Sequence, residues 1–399
     1  MAIGLVTAVL LLPTVSDLAA IARMGAGRRR RRRDPVRHGG DTRPRLLFLV
    51  PAHDEELLID SCLRSLMSLR YPADRMTVVV IADNCADRTA DLARDAGARC
   101  LERRSTDRRG KPWAIAWALE QLDLNDHDAI VIVDADSVVD REFAAALAAT
   151  GPLDDKAVQP YNDVSNRGEN ALTRMASVLS SMRFRFMNAL KQRVGLNVPL
   201  ANGLCVGARV LSERGWNAFS ICEDWEMYAI LTTRGVPIEN LPTARLWSQE
   251  ASSLRQSSSQ RRRWTAGRLD VVARHGAALL RSPHVGRHQK LDALAELTAP
   301  GPAVHLGVVV ALATFAMAFQ PPGATWLTVG LGLSLARPIL YTLAALRVES
   351  EPAIAARAFL YLPVYTMWRL AVQTTAVLSA GHTPWTRTQR AQIEDVTSG

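Results

Sequence analysis

Apolar residues gather at the two ends of the chain, and a strand-and-helix pattern fills the middle. From Ile3 to Ala22 the run is broken only by Pro13, Asp17 and a few hydroxyl side chains. At 1.5 Å per residue its length of about 20 residues spans a bilayer. Three more apolar runs, Ala303–Phe319, Ala324–Leu346 and Ala358–Ala380, are separated by Gln320-Pro321-Pro322-Gly323 and by the charged link Arg347–Arg357. The pattern predicts an N-terminal anchor over 1–24, membrane helices over 303–380 and a tail over 381–399. Arg337 and Arg369 lie inside these runs, where charges face a bundle interior, meet a lipid phosphate or a glycan, or snorkel.

Between the ends, Leu46–Val50, Met76–Ala82 and Ala129–Val133 read as buried strands. Glu55–Leu69, Thr89–Ala96 and Trp113–Leu122 read as helices. Alternation of this kind predicts an α/β domain over 45–264, built on a parallel sheet whose ligands bind beyond the carboxyl ends of the strands. Residues 265–302 space their apolar positions as an amphipathic helix does, on a membrane surface or on the soluble domain.

With 399 residues, 48% of them hydrophobic and 22% charged, the chain is neither disordered nor a small stapled module. Its five cysteines form no CxxC pair, so reduced thiols are expected rather than a disulfide framework or a zinc ribbon. The net charge of +9 is largely local, because Arg28–Arg33 alone supplies six positive charges. That run follows an apolar stretch within the linker 25–44, which favours anionic headgroups over nucleic acid as its partner and places the middle domain on the cytoplasmic side of the cell membrane.

Polar residues cluster just after the strand runs. The first is followed by Pro51-Ala52-His53-Asp54-Glu55-Glu56 and the second by Asp83-Asn84-Cys85-Ala86-Asp87, patterns that also suit helix N-caps. The third enters Asp134-Ala135-Asp136. Strand alternation would point both carboxylates one way, a repulsion that a hard divalent cation relieves. Gly110-Lys111 opens a helix where a cation and a helix N-terminus can meet phosphate, though Pro112 excludes a P-loop. Cys222-Glu223-Asp224-Trp225-Glu226 crowds three carboxylates around an indole, either as a helix-capping cluster or as the seat of a proton acceptor. Gln260-Arg261-Arg262-Arg263-Trp264 joins an amide, guanidiniums and an indole, suited to phosphate and a sugar face or to membrane anchoring.

In this order the motifs resemble membrane-embedded family 2 glycosyltransferases of the processive polysaccharide-synthase type, such as cellulose, chitin and hyaluronan synthases. The resemblance covers about residues 45–265, with Gln260–Trp264 matching the family's Q-x-x-R-W. It implies a GT-A, Rossmann-like nucleotide-sugar-binding domain joined to transmembrane α-helices. It also implies an inverting transfer from a nucleotide sugar, taken as UDP-linked, to a glycan or lipid-linked acceptor. Ala52, Glu55 and Asp83 would hold the nucleoside, and Lys111 and Arg263 the diphosphate. Asp134 and Asp136 would bind donor and Mg²⁺ or Mn²⁺, Asp224 would be the general base, and Glu223, Gln260 and Trp264 would meet the acceptor. The family's usual D-D-G-S reads Asp83-Asn84-Cys85-Ala86 here.

Three functions compete. The leading expectation is synthesis of a cell-surface polysaccharide, favoured by Gln260–Trp264. The second is transfer of one sugar to a polyprenyl-linked acceptor, favoured by the small membrane portion. The third, of another class, is a non-catalytic membrane protein that binds nucleotide or glycan.

Overall fold

The computed structural model describes residues 2–26 and 43–378. Most of the basic linker, including Arg28–Arg33, and the tail with Arg387 and Arg390 lie outside the described residues. The described chain divides into two compact units, one formed by 43–165 and 198–250, the other by 2–26, 166–197 and 251–378. The predicted domain 45–264 is thus entered by a helical insertion at 166–197, and its last residues belong to the helical unit.

The first unit is built on one sheet of eight strands. They are β1 (Leu46–Ala52), β2 (Met76–Asp83), β3 (Arg99–Arg103), β4 (Ala129–Ile132), β5 (Ser137–Val139), β6 (Ala157–Val164), β7 (Cys205–Gly207) and β8 (Ile238–Ser248), in the order β3-β2-β1-β4-β7-β6-β8-β5. The expected parallel sheet holds for β3-β2-β1-β4, with Leu46 level with Met76 on one side and Ala129 on the other. Beyond β4 the sheet is mixed. β7 runs antiparallel to both β4 and β6, and β5 antiparallel to β8. Those later strands are short or broken by a register shift at Pro160/Tyr161, and they carry no long apolar run for a sequence reading to find.

β1, β2 and β4 are almost wholly buried, as near-continuous Leu, Val and Ile runs require when helices cover both faces. Phe48, Val50, Val80 and Val131 form the core with Ile59, Leu63 and Leu66 of the helix Ile59–Met67 and Phe143 of a later helix. The helix expected from Glu55 starts four residues later. Helices Thr89–Asp95 and Lys111–Glu120 fall close to their expected places.

In the second unit, three helices are long and apolar enough to cross a membrane, Ile3–Gly25, Pro302–Phe319 and Ala324–Leu346. The run expected at 358–380 begins with the single turn Phe359–Tyr361 and continues as Leu362–Leu378, with Arg369 inside it. Leu10 of the first helix packs with Val309 and Leu331 of the next two. The segment expected as one amphipathic helix forms two, Leu254–Arg281 and Arg287–Thr298, interrupted around Ser282 and Pro283. The insertion starts at a capping box in which Asn170 and Thr173 satisfy each other's backbone N–H, then widens into a π-helical turn over Met182–Met187.

Two of the charges set within apolar runs have each other. Arg337 Nε donates to Asp17 Oδ2 at 2.7 Å, and Arg337 also reaches Glu296 at 3.4 Å. Lys191, almost wholly buried, pairs with Asp292 and lies 3.2 Å from Glu296. Burial works against the charge of Glu296, yet Lys191 and Arg337 hold its carboxyl down to about 2. Ion pairing with Asp17 and Glu296 rather than snorkelling therefore accommodates the Arg337 charge among apolar helices.

Candidate functional site

Because β3, β2, β1 and β4 are parallel and adjacent, the loops leaving β1, β2 and β4 lie side by side at one sheet edge. The first two are tied together through their backbones. His53 Nδ1 lies 2.7 Å from the Asp83 carbonyl, Asp54 accepts from the Ala86 N–H at 2.7 Å, and the Glu55 N–H donates to Thr89 Oγ1 at 2.8 Å. Asp54 and Asn84 each sit at φ of 54°, a left-handed conformation that Asp and Asn tolerate better than most residues. Here Asp54, Cys85 and Asp87 bring their ligand atoms within 4.8 Å of one another. Both carboxylates already accept backbone N–H groups, and burial pushes the Cys85 thiol up to about 11. A protonated soft donor between committed carboxylates does not suit a hard cation, so the cluster is a clasp between loops.

Asp83, at the end of β2, is buried and takes an N–H bond from Arg103 at 2.6 Å. Arg103 stands opposite it in register on β3. Asn84 Nδ2 donates to the same carboxylate oxygen at 3.0 Å, and Asn84 Oδ1 receives the Ser105 N–H. Nothing in the local sequence around Arg103 marks it, because its role follows from strand pairing twenty residues apart.

The expectation that strand alternation aligns Asp134 with Asp136 is corrected. β4 stops at Ile132, and the chain turns so that the Ser137 N–H donates to the Asp134 carbonyl at 3.0 Å. Asp134 stays partly exposed, whereas Asp136 is buried and accepts from the Ser137 hydroxyl at 3.1 Å. A polar network fixes this turn. Asn202 accepts the Asp134 N–H at 3.0 Å through Oδ1, and its amide donates to Ser137 Oγ at 2.7 Å and Ser248 Oγ at 2.9 Å. Ser248 in turn donates to Asn162. The sequence reading identified none of Asn202, Ser248 or Asn162, which come from three separate segments.

Gly110, at φ of 101°, reverses the chain so that Lys111 opens its helix. Lys111 Nζ sits 2.7 Å from Asp134 Oδ1 and 2.6 Å from Glu223 Oε1. Burial works against its charge, but the two carboxylates outweigh that and raise its pKa above the usual lysine value. The acidic triplet divides its labour. Glu223 pairs with Lys111, Asp224 Oδ1 accepts the Trp225 N–H at 2.8 Å, and Glu226 accepts the Ser220 N–H. All three lie in the first turn of the helix Glu223–Thr233, where the macrodipole favours anions. Nearby, Trp113 stacks on Phe219 at 4.2 Å, with Arg108 over its ring at 5.1 Å.

The fold thus gathers Ala52, Glu55 and Asp83 in one loop cluster, and it joins Asp134 to Glu223 through Lys111. Gln260, Arg263 and Trp264 lie in the helix Leu254–Arg281 of the other unit. There Arg261 covers the Trp264 ring at 4.7 Å.

Asp134 and Asp136, in the turn after β4, are hard oxygen donors of the kind that Mg²⁺ or Mn²⁺ prefers, although Asp134 is paired with Lys111 and Asp136 accepts from Ser137.

The family model described as glycosyltransferase like family 2 matches residues 44–267, more than half of the chain. A probable glycosyltransferase of Bacillus subtilis is 26% identical over 241 residues, covering 57% of this chain and 56% of the relative. A beta-monoglucosyldiacylglycerol synthase of Trichormus variabilis is 28% identical over 234 residues, covering 56% and 49%. The chain spans about half the length of the curated relatives it matches. A mannosyltransferase from Pyrobaculum calidifontis, solved in complex with GDP-Man and Mn²⁺, superposes with a TM-score of 0.56 at 20% identity, covering 94% of this chain and 98% of that one, a likeness of fold. The carboxylate-lined sheet edge, the mixed sheet and the match over residues 44–267 lead to one assignment: the chain belongs to glycosyltransferase like family 2 and has the GT-A type of α/β fold.

Proposed function

We propose that the protein transfers a sugar from a nucleoside diphosphate sugar, UDP-linked, to a hydroxyl acceptor presented at a membrane, with inversion at the anomeric carbon. The observation that carries this reading is Lys111 held between Asp134 and Glu223, one residue from Asp224. In the reaction the acceptor oxygen bonds to the anomeric carbon, its proton passes to Asp224, and the bond to the diphosphate breaks with its electron pair going to the leaving group. Attack from the face opposite the leaving group inverts the configuration. Lys111 is the cation that would exchange a carboxylate for a phosphate oxygen as donor binds. Asp134 and Asp136 would hold Mg²⁺ or Mn²⁺, which supplies neutralisation of charge on the departing diphosphate. Asp83 and the backbone at Ala52 and Glu55 would frame the nucleoside. Arg263 would reach the diphosphate, and Gln260 and Trp264 the acceptor.

Base catalysis contributes about 10²–10⁴-fold, so positioning must supply the rest. The apolar helices support a multi-pass membrane location, the basic run Arg28–Arg33 after the first of them supports a cytoplasmic side for the α/β unit, and a lipid-borne acceptor agrees with the diacylglycerol in the name of the Trichormus variabilis relative. Extension of a polysaccharide is the second reading, favoured by the order of motifs ending in Gln260–Trp264.

The test is release of nucleoside diphosphate by the full chain in detergent across UDP- and GDP-sugars, with Mg²⁺, Mn²⁺ or chelator, beside Asp136→Ala. Metal-dependent turnover of one donor, lost in the variant, is expected. Turnover unaffected by chelation would remove the metal from the reading. Product length in isolated membranes separates single addition from chain extension.

A further inference from the structure

The loop between β3 and the helix Lys111–Glu120 carries Arg104, Arg108 and Arg109, all of them exposed. Arg108 is set apart by an aromatic platform. Its guanidinium lies 5.1 Å from the centroid of the Trp113 ring, and Trp113 stacks on Phe219 at 4.2 Å with the two rings 28° apart. Both rings stay partly exposed. Trp113 belongs to the same first helical turn as Lys111, and Phe219 lies just before the helix that Glu223 opens. The ring stack and the Lys111–Glu223 ion pair thus join the same two stretches of chain.

The main chain at Arg108 is fixed as well. Arg103, whose Nη1 donates to Asp83, donates through Nη2 to the Arg108 carbonyl. The Arg108 N–H donates to Ser105 Oγ at 3.2 Å, and the Ser105 N–H to Asn84 Oδ1 at 2.9 Å. Hydrogen bonds therefore connect Asp83 with the turn that leads into Gly110 and Lys111. The Arg108 guanidinium itself makes no hydrogen bond or ion pair among the described residues. A guanidinium resting on an aromatic face is held through its flat surface, which leaves the N–H fork at its edge open to an acceptor. Its surroundings give that fork a use. Lys111 is engaged by Asp134 and Glu223, and Asp136 and Asp224 add negative charge beside those two residues. A diphosphate entering there brings more negative charge, and Lys111 must give up a carboxylate to meet it. Arg108 matches phosphate oxygens with two parallel N–H groups and has no such bond to give up.

We propose that Arg108, stationed by the Trp113–Phe219 stack, is a further binding residue for the diphosphate of the nucleotide donor, a role that rests on the transferase reading of this sheet edge. Arg108 and Lys111 then hold the diphosphate from before and after the Gly110 turn. The stack is the positioning element, and the open fork is the contact.

The experiment measures equilibrium binding of UDP and of uridine, with Mg²⁺ present, to the full chain in detergent and to Arg108→Gln, Arg108→Lys and Trp113→Leu. Arg108→Gln should weaken UDP binding tenfold or more and leave uridine binding unchanged, because only UDP carries the diphosphate. Arg108→Lys, which keeps the charge but loses the fork, should fall between. Trp113→Leu, which keeps the arginine but removes its platform, should weaken UDP several-fold, again without changing uridine. Added salt should erode UDP binding less steeply in Arg108→Gln than in the parent, since one contact between charges is missing. A stack that only braces the loop would lower the melting temperature of the unliganded variants and leave the ratio of UDP to uridine affinity as in the parent. That result, with UDP bound equally by parent and Arg108→Gln, would overturn the role of Arg108 while the transferase reading stands. A parent that binds neither UDP nor uridine would overturn both.

Discussion

Lys111 Nζ lies 2.6 Å from Glu223 Oε1, so a side chain at the start of one helix is locked to the first turn of another more than a hundred residues later. Glu223 adjoins Asp224, and the same ammonium holds Asp134 at 2.7 Å. One cation therefore ties the turn after β4 to the helix turn that carries Asp224, the residue proposed as the base.

Replacing Asp224 with Asn keeps an acceptor for the Trp225 N–H but removes the proton acceptor. Turnover should fall by about 10²–10⁴-fold with nucleotide affinity little changed. Diphosphate release and equilibrium binding of UDP, measured on the same preparation, check both halves.

For Lys111 the folded-state pKa is raised above its free value. Its stabilising contribution is thus fully present below the unfolded value of about 10.4, and it is lost only as pH rises through the higher folded value. Stability between pH 6 and 9 should carry no step from this group. Lys111→Met, which leaves Asp134 and Glu223 facing each other, should lower stability by about 1.5–3 kcal/mol throughout that range. Denaturant unfolding at several pH values is the measurement.

Arg103 and Asp83 form a buried pair, each side chain 7% exposed. Arg103→Leu leaves a buried carboxylate without its cation and should destabilise by about 3–5 kcal/mol. Adding Asp83→Asn should recover part of that loss while nucleotide binding stays impaired. A double-mutant cycle of unfolding and binding separates the two effects.

Gly203 follows the network residue Asn202 and sits at φ of +79°, where an added Cβ would come 2.4 Å from Leu246 Cδ2. Gly203→Ala should lower stability by about 1–3 kcal/mol for the backbone alone, with the Leu246 displacement in addition. Because Asn202 orients Asp134 and Ser137, metal affinity of the donor complex should fall too, read from the Mn²⁺ dependence of turnover.

The motifs were legible because each is local. Asp83, Lys111, Asp134 and Asp224 all stand where an apolar run ends or a helix begins, positions that periodicity and helix-start chemistry reveal. Three strands of the parallel half, β1, β2 and β4, were readable for the same reason, since strands buried on both faces must be continuous in Leu, Ile and Val, whereas the edge strand β3, with the sequence Arg-Cys-Leu-Glu-Arg, was not. Nor were β5, β7 and β8, of which β8 runs antiparallel to β5 but parallel to β6, because their strand character depends on partners distant in the chain.

By itself, then, the sequence determined the long apolar runs, the α/β alternation and the order of charged residues at strand ends. Tertiary structure alone decided who pairs with whom. It set Arg103 against Asp83, bent Asp134 and Asp136 through a turn anchored by Asn202 and gave Arg337 its carboxylates. The reason is physical: hydrophobic period and capping act over a few residues, whereas ion pairs and buried hydrogen bonds are chosen by strand register and helix packing across the whole chain.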